Sequence, residues 1–139
     1  MDLPIGELAR RTGVKAPTIR YYEQIGLLPS PPRTQGRQRR YGAQDAARLD
    51  FIRHARELGF DVEAIRELLE LSGQPETSCA RADEIARRHM AAIEGRIARL
   101  AALRDELGRM TEDCGHGQVG ECRVIQALAD HRQCMHERH

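Results

Sequence analysis

Residues 5–28 of the chain are IGELARRTGVKAPTIRYYEQIGLL, which contain two short helical patterns separated by a turn signal. Three apolar residues at helical spacing precede Gly13, and a glycine in that position is typical of a helix end. A second helix is predicted over about 16–25, because Pro17 is tolerated in a first helical turn and Gly26 follows the last one. Two short helices joined by a tight turn predict a helix-turn-helix.

The next segment, PSPPRTQGRQRRY (residues 29–41), cannot be a helix because three prolines and one glycine interrupt it. Its four arginines indicate a basic hairpin or loop, which beside a helix-turn-helix would be a wing. In that arrangement helix side chains contact base edges and the wing contacts phosphates; the alternative is a solvated arginine-rich surface. The predicted DNA contacts are Lys15, Arg20, Tyr21 and Tyr22 on the second helix and Arg33, Arg37, Arg39 and Arg40 on the wing.

The charge distribution also favours a nucleic-acid module at the front of the chain. The 139 residues carry a net charge of +1, yet residues 1–60 carry +5 and residues 61–139 carry −4. Every cation except Lys15 is arginine, which binds phosphate through two parallel hydrogen bonds. Aromatic residues make up only 4%, and no apolar stretch approaches the roughly 18 residues of a membrane span. With no signal peptide at the N-terminus, these features predict a cytoplasmic, mainly helical protein without a membrane partner.

Two further helices and a linker are predicted behind the wing. The third helix, about 44–58, has apolar residues at Ala47, Leu49, Phe51, Ile52 and Ala55. The fourth, about 61–71, has Asp61 as its N-cap and an apolar face of Val62, Ile65, Leu68 and Leu69. The predicted organisation is a DNA-binding domain over 1–71, a linker over 72–78, a dimerisation helix over 79–112, and a metal-binding loop, short helix and His/Cys-rich tail over 113–139.

The longest pattern in the chain, about 79–112, is a degenerate heptad. Its core positions are Ala82, Ala86, His89, Ile93, Arg96, Leu100, Leu103, Leu107 and Met110. Such a helix would be roughly 50 Å long, so a four-helix headpiece cannot cover it. The predicted partner is the same helix of a second chain, and the alternative is a helix folded back on its own domain.

Cysteine and histidine residues are placed at both ends of this helix. Cys114, His116 and Cys122 share a glycine-rich loop beyond its C-terminal end, whereas Cys79 stands at its N-terminal end. Because the helix separates these ends, Cys79 would meet the loop of the partner in an antiparallel dimer. Soft thiolate ligands select zinc, its thiophilic neighbours or Cu(I) over magnesium and calcium. The alternative for each cysteine is a small buried apolar residue.

The tail contains a second cluster, His131, Cys134 and His136, followed by His139. These residues could supply an added ligand or hold a second ion, or the tail could be disordered with adventitious metal affinity. The chain has no glycine-rich phosphate loop, nucleophile elbow or His-Glu-x-x-His sequence, so it is not predicted to be an enzyme.

At this point the motifs resemble a known family. IGELARRTGV followed by TIRYYEQIGLL resembles the DNA-binding headpiece of the MerR family of transcriptional regulators, and FIRHARELGF and IRELLEL resemble its next two helices. The family's wing is similar to the pattern R-x-x-G-x-x-R-x-Y, here Arg33, Gly36, Arg39 and Tyr41. The resemblance covers residues 4–71 and extends to about 129. Gln38 departs from it, because many members have an aromatic wing residue there.

The resemblance implies a mainly α fold, with a winged helix-turn-helix headpiece followed by a long antiparallel dimerisation helix and a C-terminal metal-binding loop. It implies a homodimer that binds an operator in double-stranded promoter DNA, acts with RNA polymerase, and distorts the DNA when metal binds. Both the metal-free and the metal-bound forms are expected to bind the operator. On this basis Lys15 and Thr18 are expected to face base edges, and Gly36 and Tyr41 to join the wing's DNA contacts.

The resemblance is to the divalent-metal branch, whose members activate metal-efflux and resistance genes. The expected ligands are Cys79, Cys114, His116 and Cys122, with Zn(II) as the first candidate because zinc suits mixed sulfur and nitrogen ligands. Cd(II), Pb(II) and Hg(II) are the other candidates, since they tolerate thiolates alone. One alternative is a Cu(I)-responsive member of the family, although such members typically have serine in place of Cys79. The other is a cytosolic metal-buffering protein without a DNA role.

Overall fold

The structure is a computed structural model that describes residues 2–30, 40–112 and 117–130. The predicted mainly α fold is confirmed, since these ranges contain helices and no strand. In chain order the elements are α1 (Ile5–Thr12), α2 (Ala16–Gln24), α3 (Ala43–Glu57), α4 (Val62–Ser72), α5 (Ala80–Glu112), a 3₁₀ turn (Val119–Glu121) and α6 (Arg123–Ala129). No helix in the described ranges is long and apolar enough to cross a membrane.

The turn between α1 and α2 forms as predicted at Gly13. This glycine has a φ of 74°, in the left-handed region, and its amide donates to the carbonyl of Ala9 at 2.9 Å. Thr12 continues the turn, because its hydroxyl donates to the carbonyl of Leu8 and accepts the amide of Val14. Leu8 and Val14 are both buried, so the turn is held by its backbone and by the core beneath it.

One antiparallel bridge joins the segment before α1 to the segment before α3. Leu3 and Tyr41 exchange two backbone hydrogen bonds, each of 2.8 Å. Both side chains are buried, and the Tyr41 hydroxyl donates to Glu23 Oε1 of α2 at 2.5 Å. The bridge therefore fixes the chain at the entrance to α3. Residues 31–39, and with them the predicted wing, lie outside the described residues.

One apolar core joins the first four helices. Its fully buried members come from α1, α2, the segment after α2, α3 and α4: Leu8, Ile19, Leu27, Leu49, Ile52 and Ile65. Asp61 caps α4 as predicted, because its Oδ1 accepts the amide of Ala64 at 2.8 Å. Ala47, one of the apolar residues that indicated the third helix, is exposed. The residues that do bury themselves on α3 are Leu49, Ile52 and Ala55, whose spacing of three defines a single face.

Helix α5 is continuous over 33 residues and belongs to two compact units, Met1–Ile85 and Ala86–His139. In the second unit, five large apolar side chains on one face of α5 are between 37% and 61% exposed: Met90, Ile93, Ile97, Leu100 and Leu107. We call these five residues the apolar row. Ile97 belongs to this row in place of Arg96, the polar position of the predicted heptad. Glu106, Met110 and Ala127 are buried within the described part of the same unit.

The N-cap of α4 provides a direct test of this fold. Asp61→Ala removes the acceptor for the amide of Ala64 and should lower the free energy of unfolding by about 1 kcal/mol. Urea denaturation followed by circular dichroism measures the change. Asp61→Asn is the control, because asparagine caps about as well as aspartate; equal loss in both variants would contradict the capping role.

Candidate DNA interface and metal site

Helix α2 presents a compact exposed face. Lys15 is its N-cap residue and Pro17 lies in its first turn. Arg20 and Tyr21 are exposed together with Gln24, three or four residues further on, so that the three side chains share one helical face. A cation, an aromatic hydroxyl and an amide on one short helix can contact both phosphates and base edges. Gln24 was not among the predicted DNA contacts, although its spacing of four and three residues from Arg20 and Tyr21 places it on their face.

The predicted contacts on α2 divide by burial. Lys15, Arg20 and Tyr21 are exposed and Thr18 is half-buried. Tyr22 is only 8% exposed and its ring packs in the core, so it does not belong to the exposed face of α2. The backbone carbonyl of Tyr22 accepts the amides of Leu27 and Leu28 and so closes the C-terminal end of the helix.

Tyr41 requires a correction. Its side chain was expected to contact DNA, but it is only 1% exposed and its hydroxyl is engaged by Glu23. The burial follows from the bridge to Leu3, which turns the ring into the core. Tyr41 therefore helps to position α2 from within the core, through its hydrogen bond to Glu23. The other wing residues of the prediction, Arg33, Gly36, Arg37 and Arg39, lie outside the described residues, and Arg40 is half-buried at their edge.

Two arginines from other helices bind backbone carbonyls at the C-cap of α2 and in the segment that follows it. Arg48 of α3 donates from Nε to the carbonyl of Leu27 at 2.5 Å. Arg66 of α4 donates from Nη2 to the carbonyl of Ile25 at 2.8 Å. Carbonyls at a helix end carry partial negative charge and lack helical partners, so cationic donors stabilise them. Between the two lies Gly26, with a φ of 80°; an added Cβ there would come within 3.3 Å of Arg66 Nη1.

Cys79 lies directly before α5 and is exposed. Its carbonyl accepts the amide of Asp83 at 2.9 Å, so the residue belongs to the first turn of the helix. Its side chain borders an open groove between α3, α4 and the segment before α5, with apolar walls that include Phe51, Leu68 and Leu71. An exposed thiol on a well-defined helix end is accessible as a metal ligand.

Cys122 is half-buried and is the N-cap residue of α6. Its amide donates to the carbonyl of Val119 at 3.1 Å, and its carbonyl accepts the amide of Gln126 at 3.0 Å. The backbone on both sides of this cysteine is therefore fixed. Neither Cys122 nor Cys79 is part of a disulfide, and cysteine sulfurs are the soft donors that thiophilic metals select.

The remaining predicted ligands cannot be placed. Cys114 and His116 lie outside the described residues, as do His131, Cys134 and His136 of the tail. Cys79 and Cys122 belong to different units of the chain. Over 2–30, 40–112 and 117–130 there is no group of three or more His, Cys, Asp or Glu residues that could hold a metal ion. The thiols of Cys79 and Cys122 are donors that suit a thiophilic metal. The full set of ligands stays a prediction.

An ion pair stands two residues from Cys79. Arg81 of α5 donates to Glu67 of α4 through two bonds, from Nε at 2.7 Å and from Nη2 at 2.9 Å. Its Nη1 is also 3.1 Å from Oε1 of Glu84 in α5 itself. The hydrogen bonds that Arg81 donates to Glu67 and, less strongly, to Glu84 raise the pKa of its guanidinium. Arg81 therefore stays charged and joins the first turn of α5 to α4.

Comparison with known proteins agrees with this arrangement. Residues 3–72 match the MerR HTH family regulatory proteins, and residues 46–110 match the family described as MerR, DNA binding. The two matches together span the helix-turn-helix, α3, α4 and most of α5.

Whole-chain relatives extend the match. The chain is 41% identical over 128 residues to the HTH-type transcriptional regulator ZntR of Escherichia coli K12, covering 89% of this chain and 90% of the relative. It is 36% identical over 129 residues to the mercuric resistance operon regulatory protein of Bacillus cereus, covering 92% and 98%. The solved structure of the transcription regulator PbrR691 from Ralstonia metallidurans CH34 with lead(II) superposes with a TM-score of 0.80 at 33% identity, covering 91% and 98%. With a family match over half of its length and relatives this similar over nearly all of it, the chain belongs to the MerR family of helix-turn-helix transcriptional regulators.

Proposed function

We propose that the chain is a homodimeric regulator that binds promoter DNA and activates metal-efflux or resistance genes when a divalent metal binds. The regulators it resembles include one of mercuric resistance and one solved with lead(II). These relatives support a metal-responsive transcription regulator, and the exposed face of α2 in the headpiece supports DNA binding.

The apolar row of α5 is the observation that supports the proposed dimer. Its five side chains lie on one helical face and are at least 37% exposed in a single chain. Burial of such side chains contributes roughly 1.5–3 kcal/mol each, so a row of five favours association strongly. A second copy of α5 presents the same row, and antiparallel pairing covers both rows with one interface.

Antiparallel pairing supports the shared metal site. It brings the N-terminal end of one α5 toward the C-terminal end of the other, whereas the ends of one continuous helix cannot approach each other. Cys79 would then join Cys114, Cys122 and His116 of the partner subunit around one ion. Three thiolates and one imidazole form a tetrahedral set that zinc accepts. We therefore propose Zn(II) as the first inducer to test, with Cd(II), Pb(II) and Hg(II) as alternatives, and His131, Cys134 and His136 as ligands of a second ion.

The proposed response is a change of DNA shape. The metal-free and metal-bound dimers both hold the operator through α2 and the wing, and RNA polymerase uses the promoter when the bound DNA is bent and untwisted. Bending and untwisting the operator costs deformation energy. The metal must supply this energy by binding the complex with distorted DNA more tightly than the complex with undistorted DNA.

Two alternatives remain distinct. In a Cu(I)-responsive regulator two thiolates suffice, so Cys79 would be dispensable for the response. A metal-buffering protein would bind zinc without any affinity for DNA. A gel shift with the promoter of an adjacent efflux gene separates a buffer from a regulator.

Helix α5 yields a prediction about association. Ile97→Glu places a charge in the apolar row and should weaken dimerisation at least tenfold, because an unpaired carboxylate would be buried between the two helices. Sedimentation equilibrium at micromolar concentration measures the change. Arg99→Glu, off the apolar row on the same helix, is the control. A monomeric wild-type protein would refute the proposed dimer.

The DNA interface yields a second prediction. Arg33→Ala should weaken binding to all sequences and lower the slope of log K against log salt by about 1, because one phosphate contact is lost. Lys15→Ala should instead relax sequence preference. Fluorescence anisotropy over a salt series, on operator and scrambled duplexes, distinguishes them, with Arg53→Ala on α3 as control. An Arg33 variant with altered sequence preference and an unchanged slope would contradict the assignment.

The metal site yields a third prediction. Cys79→Ser removes the ligand that ties the two chains together, so it should abolish activation by Zn(II) and Cd(II) while metal-free operator binding stays within twofold. A promoter reporter and a gel shift measure the two properties. His116→Ala is the graded companion: a loss confined to Zn(II) supports ligation by the imidazole. Normal activation of the Cys79→Ser protein by zinc or cadmium would show that this cysteine is not part of the switch.

A further inference from the structure

A set of contacts leads from Cys79 to the C-terminal end of α2. Cys79 and Arg81 occupy the same first turn of α5, because the carbonyl of Cys79 accepts the amide of Asp83. Arg81 is bound to Glu67 of α4 through two hydrogen bonds of 2.7 and 2.9 Å. Every member of this set lies within the unit Met1–Ile85.

Helix α4 carries the contact onward. Arg66, the neighbour of Glu67, donates to the carbonyl of Ile25 at the end of α2. Ile65 and Leu69 on the same helix are buried in the core, so α4 moves as a rigid element. A displacement of Glu67 is therefore shared by Arg66 and reaches the helix that presents Arg20, Tyr21 and Gln24.

The covalent route between Cys79 and α4 is less direct. Residues 73–79 form turns, with the amide of Gly73 bonded to Glu70 and the amide of Thr77 bonded to Gln74. Rotation about the bonds of this segment could absorb a small movement of Cys79. The Arg81–Glu67 pair joins α5 to α4 without passing through residues 73–79, and its two parallel hydrogen bonds restrict both the distance and the orientation between the two side chains.

We propose that the Arg81–Glu67 ion pair is the coupling contact that transmits metal occupancy at Cys79 to helix α2. The inference rests on the proposed function and assigns a regulatory role to two residues outside the ligand set and the DNA-contacting face. Both side chains are about 40% exposed, so the pair is a modest contact whose loss weakens the response without unfolding the headpiece.

The test is a double-mutant cycle with Glu67→Gln, Arg81→Gln and the two combined. Energy transfer between dyes at the two ends of the operator duplex, with and without Zn(II), measures the metal-driven change in DNA shape. Competition with a chromophoric chelator measures Zn(II) affinity, and anisotropy measures metal-free operator affinity. Glu84→Gln is the matched control, because Glu84 contacts the same arginine from within α5 itself.

Each single variant should reduce the Zn(II)-driven change about two- to fivefold, a range set by the strength of partly exposed ion pairs. The double variant should lose no more than either single variant, and Glu67→Arg combined with Arg81→Glu should restore part of the response. Zn(II) affinity and metal-free operator affinity should remain within twofold in all of them, and Glu84→Gln should respond as the wild type.

Three results would overturn the inference: full responses in both single variants, additive losses in the double variant, or loss of metal-free operator binding, which would make the pair merely structural. A wild-type protein whose operator complex does not respond to Zn(II), Cd(II), Pb(II) or Hg(II) would refute the proposed function and this inference with it. A responsive wild type with equally responsive variants would refute the coupling alone.

Discussion

Helix α5 cannot bury its own apolar row. Met90, Ile93, Ile97, Leu100 and Leu107 lie on one side of a single helix, and a helix has no second surface with which to cover them. The need to remove these side chains from water favours a partner with a matching surface, which a second copy provides. The proposed dimer follows from this requirement, and the proposed shared metal site and the proposed pairing of two headpieces on one operator depend on that dimer.

The headpiece is a different kind of structure, because it is complete within one chain. Its core joins α1 to α4, and the backbone bridge between Leu3 and Tyr41 joins the segment before α1 to the segment before α3. A rigid headpiece suits a regulator that acts by changing DNA geometry, since a displacement at one helix is passed to the others through close packing. The exposed face of α2 is thereby held at a fixed orientation to α3 and α4.

The arginines serve more than one purpose. A basic front half indicates nucleic-acid binding, and Arg20 is placed on the surface as that interpretation requires. Arg48 and Arg66, however, bind carbonyls at the end of α2, and Arg81 binds Glu67. Of these three arginines only Arg48 belongs to the basic residues 1–60, so the charge of that half overstates the number of cations available to phosphate by at least one. The contacts of all three arginines fix helices relative to one another.

The sequence by itself determined the helices and their ends, because the signals are local. Gly13 supplies a left-handed residue at the end of α1, and the carboxylate of Asp61 accepts the amide of Ala64, three residues further on, at the start of α4. Each signal acts on the backbone within one helical turn. The thiols proposed as metal ligands were also selected by residue type and spacing alone. Only the tertiary structure decided that Tyr41 is buried against Glu23, that Arg66 reaches Ile25, and that Arg81 joins α5 to α4. These pairs are 18, 41 and 14 residues apart in the chain, so no local pattern encodes them, and they exist only because the core brings the helices together.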